Sequence, residues 1–525
     1  MAKMMESVVS HALTPFKNAP LTDFSRPENR QAQIEALEQV KSELGQTHPL
    51  IIGGQKIYNE ATFASINPAN PEQVIGYFTS ATVEQANTAV AEAEKAFQSW
   101  KRVPAAQRVA YVFAAAELLR QRRFYFNAWM VYETSKSWPE ADGDIAEAID
   151  FLEFYGREML RLADEQPIVQ IEGEDNQLVC IPLGVGAVIP PWNFPSAIMA
   201  GMTTAAFVSG NTVVLKPAST SPMIAWQFLR VLEEVGLPGG VVNFLTGSGG
   251  KIGDTLVAHP QVRFISFTGS REVGLHIHEL AAKPRQGQIW IKRTVLEMGG
   301  KDAVVVDETA NLDAAADGIV TSAFGFQGQK CSAGSRAIIV EQVYDEVLQK
   351  VVARAQKLKT GDVTQPETYM GAVIDEHAYQ KIIEYIEIGK GEGRLLVGGG
   401  HHGPGYFIEP TVIADVSPEA RIAQEEIFGP VLAVIKARNF DDALDIANGT
   451  DYGLTGALYS QDAARIERAK EEFHVGNLYF NRKCTGAMVG AHPFGGFNMS
   501  GTDSKAGGRD YLLLFTQAKA ISVKK

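Results

Sequence analysis

Three residues in this chain have the side chains that acyl chemistry needs, and Cys331 is the first of them. It lies in the run Gly328-Gln329-Lys330-Cys331-Ser332-Ala333-Gly334. Small neighbours leave its sulfur open to an electrophile. The adjacent lysine favours the thiolate, the reactive form, if its charge faces the sulfur rather than solvent. Many free cysteines are inert small hydrophobes, so the other two candidates decide the interpretation.

Glu297 and Asn193 are the other two candidates. Glu297 follows the apolar run 293–296 and precedes Gly299-Gly300, so it could project into a site while the backbone turns away. A partly desolvated glutamate has a raised pKa and can act as a general base; the alternative is a solvated carboxylate in a turn. Asn193 lies in a proline-framed loop, which would hold its amide rigidly toward an oxyanion.

The elements around these residues alternate between short β-rich runs and helical patterns. We predict strands at 185–189, 212–216, 241–245, 263–267 and 293–296, and helices at 196–209, 224–235 and 252–259. This alternation indicates βαβ units and a parallel sheet, whose ligands gather at the carboxyl ends of the strands. Earlier in the chain, Thr82 and Gln85 form a capping box ahead of an apolar helical stripe.

The loops after these strands carry glycines and polar residues. Lys216 is followed by Pro217-Ala218-Ser219, and residue 267 by Thr268-Gly269-Ser270. Glycines and a hydroxyl at the start of a helix present backbone N–H groups to a phosphate. The run 247–253 spaces its glycines as GxGxxxG and misses the usual dinucleotide fingerprint. Lys216, at the end of a buried strand, needs a partner such as a phosphate or a ribose.

Composition and charge exclude several classes of protein. The chain has 525 residues, which suggests two to four domains, with 45% hydrophobic and 21% charged residues, as in ordinary globular proteins. The net charge of −13 argues against a nucleic-acid binder. The three cysteines, Cys180, Cys331 and Cys484, are too far apart for a CxxC metal site, and we expect no metal.

Cysteine usage and the termini point to the cytoplasm. An odd, sparse cysteine count fits a reducing compartment, and residues 1–18 lack the apolar core of a signal peptide. The uncharged stretch 183–215 is long enough for a membrane span. However, Pro190, Pro191 and Pro195 interrupt it, so we predict a strand, a loop, a helix and a second strand instead, and no membrane partner.

Seven motifs, in order and spacing, resemble the aldehyde dehydrogenase superfamily over about residues 50–520. They are Pro191-Trp192-Asn193-Phe194-Pro195, Lys216-Pro217-Ala218, Phe267-Thr268-Gly269-Ser270, Glu297-Met298-Gly299-Gly300-Lys301, Gly328-Gln329-Lys330-Cys331, Glu425-Glu426-Ile427-Phe428-Gly429-Pro430 and Pro493-Phe494-Gly495-Gly496. The separation of 34 residues between Glu297 and Cys331 also matches.

The resemblance implies an α/β fold of the aldehyde dehydrogenase type. A Rossmann-type cofactor domain would span 49–166 and 184–296, after an N-terminal arm at 1–48. An α/β catalytic domain would span 297–490. The remaining segments, 167–183 and 505–525, would form an oligomerisation hairpin and a C-terminal strand. We predict the hairpin from the apolar runs 168–171 and 178–181, and expect a homodimer or a higher homo-oligomer, because an unpaired hairpin presents an open edge.

The resemblance also implies a mechanism. The Cys331 thiolate would attack an aldehyde carbon, and Asn193 with the Cys331 backbone N–H would stabilise the oxyanion. Hydride would pass to a nicotinamide, and Glu297 would activate water to release the acid. The residues implied to contact the cofactor are Trp192, Lys216, Ser219, Gly269, Ser270, Gly274, Glu426 and Phe428.

One cofactor residue departs from many relatives. They carry a glutamate where this chain has Ser219, and that glutamate repels a 2′-phosphate. NAD is therefore the expected cofactor, and NADP is expected to be tolerated.

Substrate choice rests on the likeness of Lys330-Cys331-Ser332 and Cys484-Thr485-Gly486-Ala487-Met488-Val489-Gly490 to the 1-pyrroline-5-carboxylate dehydrogenase branch. Gly486 and Ala487 could offer two backbone N–H groups to a carboxylate, and Ser332 a hydroxyl. Phe194 and Phe494 could sandwich the aliphatic chain of glutamate γ-semialdehyde. Two alternatives remain: a dehydrogenase for another ω-semialdehyde, such as succinic semialdehyde, and a non-enzymatic protein on an enzyme fold.

Overall fold

The computed structural model describes residues 14–525 of the chain. Residues 1–13, which include most of the N-terminal segment considered for a signal peptide, lie outside the described residues.

The first sheet has seven strands, of which five are parallel. In spatial order the strands are Arg293–Glu297, Val262–Thr268, Val185–Ile189, Thr212–Leu215, Val242–Phe244, Leu50–Ile52 and Gln55–Ile57. The last two pair antiparallel at one edge. The five predicted strands are confirmed to within one residue at each end.

The second sheet also has seven strands and lies later in the chain. In spatial order these are Arg394–Val397, Thr411–Ala414, Val431–Ala437, Arg336–Val340, Ala303–Val306, Thr455–Tyr459 and Asn477–Phe480. All neighbouring pairs are parallel except the first, which is antiparallel. In sheets of this kind, ligand-binding loops follow the carboxyl ends of the parallel strands.

Helices cover both sheets. The longer ones are Pro27–Glu43, Val83–Trp100, Ala105–Gln121, Arg123–Thr134, Trp138–Ala163, Ala197–Val208, Pro222–Glu234, Arg271–Ala282, Leu312–Phe324, Tyr344–Ala355, Glu376–Glu392, Phe440–Asn448 and Ala463–Glu472. Short helical turns occupy Gly249–Gly253, Asp254–Ala258, Gly325–Gly328, Glu341–Val343, Arg421–Gln424 and Tyr511–Phe515. The capping box predicted at Thr82 and Gln85 is confirmed: each side chain bonds the other residue's backbone N–H.

The segment before residue 49 is packed onto the first domain. Helix Pro27–Glu43 buries Ala36, Leu37 and Val40 in the same core as helix Arg123–Thr134. Full burial of such aliphatic side chains as leucine and valine stabilises the fold by about 1.5–3 kcal/mol each. Strand Gln46–His48 then pairs with Asn70–Thr79, which in turn pairs with Thr62–Asn67.

The hairpin predicted at 167–182 does not form, because only the second of its two predicted strands is present. Residues 165–171 form no strand, whereas Glu174–Pro182 pairs antiparallel with Thr516–Lys524 over nine residues. Pairing with the C-terminal strand gives Glu174–Pro182 a longer ladder of backbone hydrogen bonds than pairing with the four residues 168–171 could. The two strands form a separate sheet, and two shorter two-stranded sheets join His401–His402 to Phe407–Ile408 and Tyr452–Gly453 to Phe497–Asn498.

The uncharged stretch 183–215 folds as predicted, with strand Val185–Ile189, a loop, helix Ala197–Val208 and strand Thr212–Leu215. Across residues 14–525, none of the helices combines the length and the apolar composition needed to cross a bilayer.

Candidate active site

The predicted site residues come from loops at the carboxyl ends of the first sheet and from several later segments, which carry Cys331, Glu426 and Gly486. Trp192, Asn193 and Phe194 follow strand Val185–Ile189. Lys216 and Ser219 follow Thr212–Leu215, Gly269 and Ser270 follow Val262–Thr268, and Glu297 ends its own strand. Cys331 lies between helix Leu312–Phe324 and strand Arg336–Val340. The site therefore lies between the first sheet and the segment that leads into strand Arg336–Val340 of the second sheet.

A strained turn places Cys331. Phe326 and Gln327 hold left-handed φ angles of 50° and 57°, which non-glycine residues rarely adopt. The Gln327 amide donates to the carbonyls of Ser135 and Ala372, at 3.0 and 2.9 Å. Since these bonds fix the turn from outside, the conformation before the cysteine is determined by its surroundings. Such locally unfavourable backbone is typical of functional sites.

Asn193 lies beside the cysteine segment. Its buried amide donates to the Gln329 carbonyl over 3.0 Å, and the Gln329 side chain accepts from the Ile374 N–H at 2.9 Å. The bond to Gln329 uses one of the two N–H groups of the Asn193 amide. The other can serve an oxyanion formed at Cys331, as predicted.

Two glycines let three functional segments approach each other. A Cβ on Gly299 would lie 2.3 Å from the Glu426 carboxylate oxygens, and one on Gly300 would lie 2.6 Å from the Cys331 carbonyl oxygen. The Gly300 N–H donates to Glu426 Oε1 at 3.0 Å. Glycine is therefore required at both positions for the turn after Glu297 to pack against Glu426 and the cysteine.

The Glu297 carboxylate is buried in a cradle formed by residues 495–504. Its Oε1 accepts from the hydroxyl and the N–H of Ser504, at 2.5 and 3.4 Å, and its Oε2 accepts from the Gly496 N–H at 3.3 Å. Burial raises the pKa of Glu297 to about 7, although these donors favour the charged form. A carboxylate with this pKa can exchange protons near neutral pH.

The electrostatic environment of Cys331 differs from the expectation. The Lys330 ammonium lies 2.7 Å from Glu140 Oε2, so its charge is taken up by an ion pair rather than directed at the sulfur. Burial, together with Asp302, Glu297 and Glu426, raises the pKa of the Cys331 thiol well above its usual range. The prediction that Lys330 favours the thiolate is therefore wrong.

On the cofactor side of the site, the Lys216 amino group has no charged partner in the part of the chain that the structure describes. Lys216 is buried after its strand, and its ammonium makes one hydrogen bond, to the Pro217 carbonyl at 3.3 Å. Burial lowers the pKa of Lys216 to about 8. A buried ammonium in this setting fits a ribose or phosphate oxygen of a dinucleotide.

Neighbouring loops complete this side. Ser270 caps helix Arg271–Ala282 by accepting from the Val273 N–H, and a Cβ on Gly274 would meet the Met298 sulfur at 2.5 Å. Ser219 is exposed and donates to the Gly247 carbonyl at 3.3 Å. Phe428, with a φ of 62°, contacts Trp192 edge-on at 5.5 Å between ring centroids. The helix N-terminus, the glycine contacts and Lys216 together fit a dinucleotide.

The residues predicted for the far end of the substrate lie on three segments. Phe194 packs edge-on against Phe326, with ring centroids 6.4 Å apart, and the buried Lys136 ammonium lies 4.0 Å from the Phe194 centroid. Ser332 is buried, Ala487 and Phe494 are half-buried, and Gly486 is exposed with a φ of 75°.

Arg482 holds the loop that carries Gly486 and Ala487. Its guanidinium donates to the carbonyls of Thr485 and Gly486, at 2.8 and 3.0 Å, and lies over the Tyr479 ring. These bonds use the carbonyl groups of the turn and leave its N–H groups for another partner.

Sequence reasoning missed Glu147. It lies on helix Trp138–Ala163, where Asp142, Asp144 and Asp150 each have a partner. Glu147 makes no hydrogen bond or ion pair within residues 14–525, and burial raises its pKa to about 8. The sequence offers only a weak signal for it, because Glu147 is one of seven acidic residues on this helix and belongs to no motif.

Comparisons with known proteins agree with this geometry. The sequence profile of the Aldehyde dehydrogenase family matches residues 57–521. The chain is 60% identical over 509 residues to a 1-pyrroline-5-carboxylate dehydrogenase of Geobacillus thermodenitrificans (strain NG80-2), covering 97% of this chain and 99% of that protein. It is 56% identical over 508 residues to the protein of that name from Bacillus subtilis (strain 168), with the same coverage.

Solved structures are similar as well. A 1-pyrroline-5-carboxylate dehydrogenase from Thermus with bound NAD superposes with a TM-score of 0.97 at 48% identity, covering 98% of this chain and 100% of that one. Proline utilization A from Bdellovibrio bacteriovorus gives a TM-score of 0.96 at 45% identity, over 97% of this chain and 53% of that one. The profile match over most of the chain and these near-full-length likenesses have one meaning: the chain belongs to the aldehyde dehydrogenase family.

Proposed function

We propose that the chain oxidises L-glutamate γ-semialdehyde, which is in equilibrium with 1-pyrroline-5-carboxylate, to L-glutamate with NAD, the second step of proline degradation. The observation that carries the proposal is the identity of 56–60% over 97% of the chain to proteins named 1-pyrroline-5-carboxylate dehydrogenase. The arrangement of Cys331, Asn193 and Glu297 supports the chemistry of an aldehyde oxidation.

The first step is attack by the Cys331 sulfur on the aldehyde carbon, which forms a thiohemiacetal. The second N–H of the Asn193 amide and the backbone N–H of Cys331 stabilise the oxyanion. Since burial raises the thiol pKa, the thiol must lose its proton as the carbon–sulfur bond forms. A nicotinamide held on the Lys216 side of the site would accept the hydride that the substrate carbon loses.

Hydrolysis of the resulting thioester completes the reaction. Glu297 removes a proton from water, the water oxygen bonds to the acyl carbon, and the carbon–sulfur bond breaks. Its pKa of about 7 suits this role, because the carboxylate is ionised in about half of the molecules at neutral pH.

The charges around the substrate pocket support a zwitterionic substrate. Among residues 14–525, the Glu147 carboxyl group has no cation in hydrogen-bond or ion-pair contact, and it lies within electrostatic range of Lys136, which lies against Phe194. The Gly486 and Ala487 N–H groups, together with Ser332, would bind the α-carboxylate, and Glu147 the α-ammonium. Phe494 would pack on the aliphatic chain. Succinic semialdehyde has no ammonium and would leave Glu147 unpaired.

Three finer assignments belong to the same proposal. Ser219 carries no charge that would repel a 2′-phosphate, which supports use of NADP beside NAD. The sheet of Glu174–Pro182 and Thr516–Lys524, beside the exposed Val169 and Ile171, offers an edge that a second copy would cover in a homodimer. The sparse cysteines support a cytoplasmic protein.

The deciding experiment compares kcat/KM for 1-pyrroline-5-carboxylate and succinic semialdehyde, with NAD and NADP in parallel. We expect the first substrate and NAD to be preferred. Glu147→Gln should lower kcat/KM for 1-pyrroline-5-carboxylate about 10–100-fold, since a buried ion pair with the substrate is lost, with little change for succinic semialdehyde. Glu158→Gln, the same change on the same helix at an Arg161 ion pair, is the control. A preference for succinic semialdehyde would overturn the proposal.

A further inference from the structure

The two oxygens of the Glu297 carboxylate accept different numbers of hydrogen bonds. Within residues 14–525, its Oε1 accepts two hydrogen bonds, both from Ser504, whereas its Oε2 accepts one, from the Gly496 N–H. A carboxylate oxygen has two lone-pair sites, so Oε1 is saturated and Oε2 keeps one acceptor site.

The backbone around Ser504 is bent in a way that aims both of its donors at one atom. Asp503 and Lys505 hold left-handed φ angles of 52° and 54°, a conformation that costs free energy at non-glycine residues. The Lys505 ammonium donates to the carbonyls of Gly476 and Gly495, at 2.8 Å each, and anchors the turn from its other side.

The same segment is joined to the strand that carries Glu297. The Met298 N–H donates to the Ser500 carbonyl at 2.8 Å, and Thr502 exchanges hydrogen bonds with the backbone of Leu296. A Cβ on Gly495 would lie 3.0 Å from Glu297 Oε1, so the cradle closely surrounds the carboxylate. Glu297 therefore has little freedom to turn unless the Ser504 contacts are released.

We propose that Ser504 is a positioning residue: it fixes Oε1 of Glu297 and thereby assigns Oε2 as the oxygen that takes the proton from the hydrolytic water. The inference rests on the proposed role of Glu297 as base and deepens it. In the step, one water proton passes to Oε2, the water oxygen bonds to the thioester carbon, and the carbon–sulfur bond breaks. The released thiolate then regains a proton from Glu297 through the site or from solvent, and the products are the acid and the Cys331 thiol.

The charges that face Glu297 are few. Lys505, on the same loop as Ser504, favours the charged carboxylate. Cys331 and Tyr511, on other segments, lie close enough that the Glu297 charge raises their pKa values. Because a hydroxyl bonded to the carboxylate also favours the charged form, loss of the Ser504 hydroxyl should raise the pKa of Glu297 further.

The test uses p-nitrophenyl acetate, an activated ester that acylates Cys331 without cofactor or oxidation. Decay of the acetyl-enzyme is followed by intact-protein mass spectrometry from pH 5 to 9 for the full chain. In Ser504→Ala we expect the midpoint of the acid limb to move up by about one pH unit, the size of one charge-favouring hydrogen bond. Ser504→Thr, which keeps a hydroxyl, should restore the original midpoint.

Two controls separate positioning from a structural effect. Thr502→Val removes a hydroxyl bonded to the Leu296 backbone and should lower the unfolding temperature without moving the midpoint. In a Glu297→Gln background, decay should be slow at every pH and show no acid limb, with or without Ser504→Ala. An unchanged midpoint in Ser504→Ala, or an acid limb that persists in the Glu297→Gln background and moves with Ser504→Ala, would overturn the inference. Since the ester assay involves neither semialdehyde nor NAD, its outcome is independent of the proposed substrate.

Discussion

The side-chain amide of Asn193, from the first domain, donates to the backbone carbonyl of Gln329, two residues before Cys331, over 3.0 Å. This bond joins the predicted oxyanion donor directly to the segment that carries the nucleophile. The bond therefore holds the amide of Asn193 beside the segment in which Cys331 lies.

Asn193→Ala should lower kcat about 10²–10³-fold, because one donor to the developing oxyanion is lost. Steady-state kinetics with 1-pyrroline-5-carboxylate and NAD measure the change. Asn439→Ala is the matched control: that asparagine caps helix Phe440–Asn448, so its loss should destabilise the fold by about 1 kcal/mol with kcat unchanged. A kcat for Asn193→Ala within threefold of the parent would exclude the oxyanion role.

Gly300→Ala tests the close packing behind the nucleophile. The added methyl group would lie 2.6 Å from both the Cys331 carbonyl oxygen and the Asp302 carboxylate, so one of these segments must shift. A displacement near 1 Å costs about 10²-fold in rate, and we expect kcat to fall by about 10–100-fold. Gly361→Ala, where a methyl group meets no atom within 4 Å, should leave kcat unchanged. Equal kcat values in the two variants would contradict the packing argument.

Local patterns were sufficient to predict the five parallel strands of the first sheet and to propose the residues of the site. Short contiguous motifs contain Cys331, Glu297 and Asn193. The strands of the first sheet show the alternation of βαβ units. Both features can be recognised without knowing which distant residues are in contact. The family resemblance then added roles that spacing alone could not supply.

The failures all involve partners far away in the chain. Cys180 and its neighbours pair with the C-terminal strand rather than with residues 168–171, and the alternation of apolar residues does not show which strand will be the partner. Lys330 pairs with Glu140, 190 residues earlier, and Ser504 bonds Glu297, 207 residues earlier. Glu147 belongs to no motif, and what distinguishes it is that it makes no hydrogen bond or ion pair with the rest of residues 14–525.

Ser219→Glu tests cofactor selectivity. Ser219 is exposed, and its hydroxyl bonds one backbone carbonyl, so a longer side chain has room. We expect KM for NADP to rise at least about tenfold through repulsion of the 2′-phosphate, and KM for NAD to change less than about threefold. Ser219→Gln, which has the same length without the charge, is the control. An equal loss of NADP affinity in both variants would mean that size rather than charge is responsible.

Glu297→Gln should abolish hydrolysis of the acyl-enzyme and stabilise the fold. The gain in stability should depend on pH, because the pKa of Glu297 is raised in the folded protein. Above pH 7 the folded protein must keep a buried charge, whereas the unfolded chain keeps the charge in water, near the ordinary pKa of 4.5. A raised carboxylate pKa therefore contributes a stability that is present below pH 4.5 and is lost as the pH rises through about 7. Glutamine, which stays neutral, should stabilise the fold at pH 8 by on the order of 1–3 kcal/mol.

The stability gain of Glu297→Gln should shrink at pH 5.5, where Glu297 is largely protonated in the folded state. Thermal unfolding at the two pH values measures the difference, and Glu346→Gln, at an exposed position on helix Tyr344–Ala355, shows the effect of the same change outside the site. In the same variant, hydrolysis of the acyl-enzyme should nearly cease at every pH, since the base is gone. A gain in stability that is equal at pH 5.5 and pH 8 would mean that improved packing, rather than removal of a buried charge, stabilises the variant.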